Sequence, residues 1–133
     1  MTYGRFGLMS SSPISKHQVP DPIFTPHGET IYEMIGHPQE HGGAKLHSLA
    51  HVTISPGKAS LAHHHQVCEE TYYVLKGAAR MVLDGQEFSL SPGQACLILP
   101  GQTHQIFNPG SQELEFLAIC APAWYPEDSF YDA

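Results

Sequence analysis

The sequence is poor in positive charge. It contains six Lys and Arg residues against 13 Asp and Glu, which gives a formal net charge of −7. Nucleic acids and anionic lipid surfaces are bound by extended basic surfaces, because their phosphates must be neutralised. We therefore expect neither a nucleic acid nor a membrane among the partners of this chain.

Long apolar runs are also missing. No stretch approaches the roughly 20 apolar residues that a membrane-spanning helix requires. The N-terminal segment, which includes a run of serines at 10–12, lacks the apolar core of a secretory signal peptide. We therefore expect a cytoplasmic protein.

Cysteine is scarce and is not arranged for disulfides or for zinc. The three residues, Cys68, Cys96 and Cys120, are an odd number at wide spacing, and no two of them form a CxxC pair. Disulfide frameworks and zinc sites usually have even numbers of cysteines or short, regular spacings. We expect three reduced thiols.

Glycine and proline are abundant, with 12 and 11 residues, whereas charged residues make up only 14% of the chain. This composition favours short strands joined by tight turns. The clearest turn is Asp84-Gly85, because a two-residue Asp-Gly loop between apolar runs is typical of a β-hairpin. The alternation of β-rich stretches and turns predicts strands at 30–35, 47–54, 59–65, 71–75, 78–83, 87–90, 95–99, 104–107 and 114–120.

The length of 133 residues suits a single domain. Residues 1–26 contain four prolines and no sustained periodicity, which predicts an N-terminal arm that is ordered only when it packs on a neighbour. Residues 27–133 are then one all-β domain, with a pattern typical of a sandwich or barrel. Its short C-terminal tail, 121–133, mixes aromatic residues with acids and prolines, so we expect it to lie on the barrel wall rather than to extend a sheet.

Three consecutive histidines, His63, His64 and His65, are the clearest chemical feature. Side chains alternate along a strand, so His63 and His65 would point to one face and His64 to the other. Glu70 follows five residues later, after enough chain for a reversal. Imidazoles that converge with a carboxylate are a common ligand set for Mn, Fe, Co, Ni or Zn.

Two segments around these residues resemble the two sequence motifs of the cupin superfamily. Residues 57–77 match the first motif at every signature position, Gly57-x5-His63-x-His65-x4-Glu70-x6-Gly77. Residues 93–108 are similar to the second, Gly93-x5-Leu99-x-Gly101-x2-His104-x3-Asn108, with Leu99 where the family usually has proline. The resemblance implies a double-stranded β-helix, the jelly-roll barrel of the cupins.

By this resemblance, one divalent transition metal, Mn, Fe, Ni, Co or Zn, would be held inside the barrel by His63, His65, Glu70 and His104. Glu69 competes with Glu70 for the carboxylate position, but the spacing to the glycine that ends the first motif favours Glu70. Such a site leaves one or two metal positions open for water, substrate or dioxygen. As the only anionic ligand, Glu70 would also act in catalysis by setting the charge of the site.

Four further residues are candidates for the site. Tyr72 shares the strand face of Glu70 and is either a catalytic residue that hydrogen-bonds a metal-bound ligand or a packing residue. Arg80 either binds an anionic substrate or pairs with an acid at the barrel edge. His47 and His51 share one strand face, which lies either near the site, where His51 would bind substrate, or on the surface.

The cupin superfamily includes dioxygenases, isomerases, decarboxylases and ligand-sensing modules. The resemblance therefore implies a metal site but leaves the reaction open. We predict a metal-dependent enzyme of dioxygenase or isomerase type that acts on a small keto, hydroxy, carboxylate or sugar-like molecule. The alternative is a non-catalytic module that binds a small molecule or a metal. We also expect a homodimer that associates through barrel edges, to which the N-terminal arm could add a strand.

Overall fold

The computed structural model describes residues 13–37 and 42–132, and these residues are organised almost entirely as β-strands. Two 3-10 turns, Lys16–Gln18 and Pro126–Asp128, accompany them. The strands are β1 (Ile23–Phe24), β2 (Glu29–Ile35), β3 (Ser48–Ile54), β4 (His63–His64), β5 (Glu69–Lys76), β6 (Ala79–Leu83), β7 (Gln86–Leu90), β8 (Ala95–Ile98), β9 (His104–Phe107), β10 (Leu114–Ala121) and β11 (Phe130–Tyr131). The all-β prediction is confirmed.

The strands form two sheets, and the neighbouring strands of both are antiparallel. One sheet has the order β1-β2-β3-β10-β5-β8 and the other the order β11-β4-β9-β6-β7. β10 therefore lies between β3 and β5, although it is far from both of them in the sequence. Within the described part of the chain, no helix is long and apolar enough to cross a bilayer.

The core lies between the two sheets, and both of them contribute to it. In β5, for example, Glu70, Tyr72 and Val74 are buried while Tyr73 and Leu75 are exposed, as the alternation of side chains requires. Full burial of an apolar side chain stabilises a fold by about 1.5–3 kcal/mol. The largest fully buried apolar side chains are Ile54, Val74, Met81, Ile98, Ile106, Leu114 and Phe116.

The hairpin at Asp84-Gly85 is confirmed, since it joins β6 to β7 in direct register. Both of its residues have positive φ, 47° for Asp84 and 82° for Gly85. This conformation matches the right-handed twist of the flanking strands and suits Asp-Gly. The Asp84 side chain also accepts a hydrogen bond from the backbone N–H of Thr103 at 2.9 Å, which ties the turn to the segment before β9.

The predicted strand at 59–65 is shorter than expected, because only His63 and His64 form regular strand pairs. Before them, the Ser60 hydroxyl rather than its carbonyl accepts the Ile106 N–H, at 3.1 Å. The Ser60 carbonyl instead accepts a hydrogen bond from the Gln105 side chain at 2.9 Å. Side-chain bonds thus replace part of the backbone ladder, and an isolated bridge at Ala59 is all that remains of the strand there.

The C-terminal tail corrects another expectation, since it does extend a sheet. β11 pairs with β4, Phe130 opposite His64 and Tyr131 opposite His63. The turn before β11 buries Asp128, which is 2% exposed. The tail therefore closes the edge of the sheet that carries the histidines.

The described part of the N-terminal arm contacts the barrel of its own chain. β1 adds to the edge of β2, with Ile23 opposite Ile31, and Val19 is buried. These contacts need no neighbouring molecule. Residues 1–12 of the predicted arm lie outside the described residues, and the domain boundary at residue 26 stays a prediction.

Candidate metal centre

Three histidines and one glutamate converge at the inner face of the barrel. His63 lies opposite His104 in the pairing of β4 with β9, His65 follows β4, and Glu70 projects from β5 in the facing sheet. One donor atom from each of the four residues lies within 4.8 Å of the others. The structure thus brings together the four residues that the motifs predict as metal ligands.

The rings of the three histidines are held in one tautomeric form by backbone carbonyls. A carbonyl oxygen can only accept a hydrogen bond, so each Nδ1 carries a hydrogen and the lone pair of the neutral ring lies on Nε2. This is the arrangement by which metal-binding histidines are usually oriented. The three Nδ1–carbonyl pairs are His63 with Leu61 at 2.8 Å, His65 with Asp128 at 2.9 Å and His104 with Gln102 at 3.0 Å.

The donor set fits a divalent transition-metal ion. Glu70 Oε1 lies 3.3 Å from His65 Nε2 and 3.2 Å from His104 Nε2. Even so, Glu70 Oε1 and His104 Nε2 are buried without a partner that meets hydrogen-bond geometry. Buried polar atoms in native proteins nearly always have partners. Two unpartnered donor atoms that face each other are what a shared cation would satisfy.

The electrostatics keep the carboxylate charged. Burial raises the pKa of Glu70, but the adjacent His104 and His65 outweigh burial and lower it well below the usual range. Burial also opposes protonation of His65, yet Glu70 raises the pKa of this histidine to about 9. Burial and then the neighbouring His104 lower the pKa of His63 to about 4. In the metal-free protein Glu70 is therefore an anion that interacts with the neighbouring imidazoles. A metal cation would compete with them for this carboxylate.

Asp128 supports this centre from the C-terminal tail, and sequence reasoning missed it. Its backbone carbonyl holds His65, while its carboxylate accepts hydrogen bonds from the backbone N–H groups of Gln66, Val67 and Cys68 at 3.0–3.3 Å. Burial raises the pKa of Asp128, but these donors outweigh burial and lower it. One side chain thus fixes the loop between the two imidazoles and Glu70.

A thiol contacts the carboxylate from the other side. Cys120 Sγ donates a hydrogen bond to Glu70 Oε2 at 3.2 Å, and both side chains are buried. Cys68, Cys96 and Cys120 are all free and buried. The contact places one of the three thiols beside a predicted ligand, where it orients the carboxylate.

A cavity of about 430 Å³ leads to these residues, and His63, His65 and Glu70 line it. Its wall also includes two carboxyl groups that sequence reasoning missed, Glu29 and Glu33 of β2. Burial, and then the proximity of Glu70, raises the pKa of both to about 7. The cavity therefore contains two acids that exchange protons near neutral pH.

We expect Glu33→Gln to stabilise the metal-free protein more at about pH 8 than at about pH 5. The pKa of Glu33 rises from 4.5 to about 7 on folding. Its contribution to stability is therefore fully present below pH 4.5 and is lost as the pH rises through 7. Gln has no proton to lose, so its advantage should grow by on the order of 2 kcal/mol across this range.

Chemical denaturation of the wild type and of Glu33→Gln at both pH values measures this difference. Exposed Glu113→Gln is the matched control. An advantage of Glu33→Gln that is the same at both pH values would contradict the assignment of a perturbed carboxyl.

Tyr72 and His64 lie where the strand alternation predicts. Tyr72 is buried, lines the cavity, and its ring centroid is 5.8 Å from that of His104. His64 points away from the donor group and stacks on Phe130 with ring centroids 5.2 Å apart. Tyr72 is therefore available to a ligand in the cavity, whereas His64 is not among the clustered donors.

The other three candidates lie outside the cavity wall. Arg80 is exposed on β6, where it lies 3.4 Å from Glu87 and covers the ring of Phe107. Of the two alternatives for Arg80, the pair with an acid therefore agrees with the structure. His51 faces away from the core and lies 3.3 Å from Glu115. His47 is exposed. These positions give no support to substrate binding by Arg80 or His51 in the cavity, since adjacent strand residues point to opposite faces.

Comparison with known proteins agrees with the fold and with the donor set. The family model described as Cupin domain matches residues 50–120, which include all four clustered donors. An uncharacterized protein of Methanocaldococcus jannaschii is 35% identical over 108 residues, which are 81% of this chain and 85% of that protein. An oxalate-binding protein of Thermotoga maritima is 33% identical over 79 residues, 59% of this chain and 64% of that protein.

A solved structure extends the likeness to three dimensions. A variant of Bacillus subtilis oxalate decarboxylase superposes with a TM-score of 0.71 at 26% identity. The match covers 84% of this chain and 29% of that one. The likeness confirms the predicted jelly-roll barrel, and the match leaves the larger part of the decarboxylase uncovered.

Proposed function

The chain belongs to the cupin domain family, and from this premise we propose that it is a metal-dependent enzyme that acts on a small oxygenated molecule. The observation that carries the proposal is the pair of buried, unpartnered donor atoms, Glu70 Oε1 and His104 Nε2, beside three imidazoles of one tautomer. A purely structural cluster would satisfy these atoms internally. The cavity beside them has room for a small molecule.

His63, His65, Glu70 and His104 would hold one divalent ion among Mn, Fe, Ni, Co and Zn. Three neutral imidazoles and one carboxylate leave such an ion a net charge of about +1, with which it would polarise a carbonyl, hydroxyl or carboxylate oxygen. Burial, and then Glu70, raises the pKa of Tyr72 well above its usual range. Its hydroxyl therefore stays protonated and would donate a hydrogen bond to a ligand in the cavity. Dioxygenase and isomerase chemistry both suit this arrangement.

A non-catalytic module that binds a small molecule is the second candidate, because the relative from T. maritima is named an oxalate-binding protein. Such a module would keep the barrel and the ion. It would not need Glu70 to tune the reactivity of a bound molecule. The two candidates therefore differ in what a change at Glu70 does.

We expect Glu70→Gln to weaken metal binding by about tenfold or more and to reduce turnover further than lost occupancy explains. Gln keeps the size and one oxygen but removes the only negative charge of the donor set, which raises the charge of the loaded site to about +2. Elemental analysis, followed by oxygen-uptake and isomerisation screens with the metal found, provides the assay. The wild type and Glu70→Gln are then compared at equal metal occupancy.

The control is Glu69→Gln, which changes an exposed carboxyl in the same strand and should leave both metal content and turnover unchanged. Equal turnover of the wild type and Glu70→Gln at equal occupancy would contradict the electronic role of Glu70. If the screens find no turnover, the binding module becomes the better description.

A homodimer remains part of the proposal. The six-stranded sheet ends at β1 and β8, and the edge strand β8 carries Leu97, which is exposed. Edge strands of this kind are sites at which a second chain can associate. This supports association through barrel edges.

A further inference from the structure

The wall of the cavity beside the clustered donors is rich in aromatic side chains. They come from β1, β5, β10 and the C-terminal tail, which are far apart in the sequence but meet at the cavity. The faces of such rings attract organic cations as well as apolar groups. The aromatic residues that line it are Phe24, Tyr72, Phe116, Trp124 and Tyr131.

The charged groups in the same wall are mostly acidic. Besides Glu70, the cavity is lined by Glu29 and Glu33, and no Lys or Arg among residues 13–37 and 42–132 lines it. A neighbouring cleft shares Glu33 and Trp124 with the cavity and adds two further acids, Asp21 and Glu127, beside His37. Once ionised, the carboxyl groups of this wall attract cations and repel anions.

Glu33 has the features of a ligand-binding carboxyl. It is 7% exposed, and its Oε1 has no hydrogen-bond partner. A Cβ on Gly36 would lie 2.6 Å from this oxygen, so the glycine leaves the space that the carboxyl occupies. An unpartnered buried carboxyl costs stability unless something binds to it. No described residue of the chain supplies that partner.

We propose that the ligand of the cavity carries an ammonium group, which Glu33 binds beside the aromatic side chains, while Glu29 adds negative charge to the same wall. The oxygen end of the same molecule would reach the four clustered donors, and this part rests on the function proposed above. The ammonium would replace the absent partner of Glu33 with a charge-assisted hydrogen bond. It would also lower the raised pKa values of the two carboxyls, since these reflect burial beside another acid.

This ligand class differs from that of the named relative. Oxalate is a dianion, and beyond a metal ion a cavity that binds it would be expected to offer Lys or Arg side chains or several uncharged donors. Here an anion would meet Glu29 and Glu33 instead. We therefore expect the chain to bind oxalate more weakly than a ligand that carries an ammonium group.

The test uses three catechols that share one metal-binding head and differ in the charge of the tail. They are dopamine, 4-ethylcatechol and 3,4-dihydroxyphenylacetate, titrated without oxygen by calorimetry into protein loaded with Zn²⁺. We expect dopamine to bind about tenfold more tightly than 4-ethylcatechol, and the anionic catechol to bind more weakly still. In the double variant Glu29→Gln/Glu33→Gln the three affinities should converge, whereas exposed Glu113→Gln should preserve the order.

Elemental analysis of the same samples tests the proposed function separately, because it reports whether Zn²⁺ is bound at all. Metal-free protein titrated with 2-phenylethylamine and with phenylacetate tests the charge preference without the ion. Equal or reversed affinities, no binding of either amine, oxalate binding tighter than dopamine binding, or a preference that survives in the double variant would overturn the inference.

Discussion

His63→Ala, His65→Ala and His104→Ala are each expected to lose the bound metal, whereas His64→Ala should retain about one ion per chain. The first three remove an imidazole whose Nε2 belongs to the clustered donors. His64 faces the other way and stacks on Phe130. Changing a residue that merely supports a ligand costs 10–100-fold in affinity, so the loss of a direct ligand should exceed about a hundredfold.

Elemental analysis after dialysis against a weak chelator measures the metal content of the four variants and the wild type. His64→Ala is a close control, because it changes the same residue type within the same tripeptide. Equal loss of metal in His64→Ala and in His63→Ala would contradict the assignment, and so would a wild-type protein that takes up no ion.

Asp128→Ala is expected to have the second largest effect, on stability and on metal affinity together. Its carboxylate accepts the backbone N–H groups of Gln66, Val67 and Cys68, of which only Cys68 is a buried residue. An unsatisfied buried donor costs about 1–3 kcal/mol, and the two partly exposed donors cost less, so we expect a total loss on the order of 3 kcal/mol. Metal affinity should fall 10–100-fold, since the loop and the Asp128 carbonyl both orient His65.

Chemical denaturation and a metal competition assay measure the two effects of Asp128→Ala. Asp128→Asn keeps one acceptor oxygen and should lie between Asp128→Ala and the wild type. Neighbouring Glu127→Ala changes an exposed carboxyl and should be nearly neutral. Loss of stability in Asp128→Ala without loss of metal affinity would indicate that the tail supports the barrel but not the donor set.

The four clustered donors could be predicted from the sequence because they lie at fixed spacings within two local motifs. Each motif is a strand, a reversal and a second strand, and alternation then decides which side chains face inward. The same logic placed Tyr72 inside and His64 outside. Arg80 and His51 were harder to place, since a polar residue in an apolar run faces either an interior site or an acid on the surface.

Glu29 and Glu33 could not be predicted as cavity residues, because acids on a strand usually face the solvent, whereas β2 turns these two inward. Its inward face carries Glu29, Ile31 and Glu33, all of which line the cavity. Its outward face carries Thr30 and Tyr32, which are not acidic. A reader of the sequence would place two acids four residues apart on the solvent side. Only the neighbouring strands of the folded sheet determine the opposite orientation.

Asp128 was missed for a different reason, which is distance along the chain. Its carboxylate binds a loop about sixty residues earlier, and no local pattern encodes such a pair. The aromatic residues of the tail suggested packing on the barrel wall. That they instead form β11 beside the histidine strand follows from the open edge of β4, which is a property of the folded sheet.

The position of β10 between β3 and β5 has a consequence for the order of folding. Until residues 114–121 are in place, β3 and β5 each have an unpaired edge, and the larger sheet exists only as fragments. Pairings between segments so far apart in the sequence form slowly, because the closure of a long loop must precede them. Asp128 and β11 follow β10 in the sequence, so during synthesis the carbonyl partner of His65 appears only after β10 has been made. On the ribosome, the donor cluster would therefore mature only after synthesis has reached the tail, and metal uptake would report the end of folding.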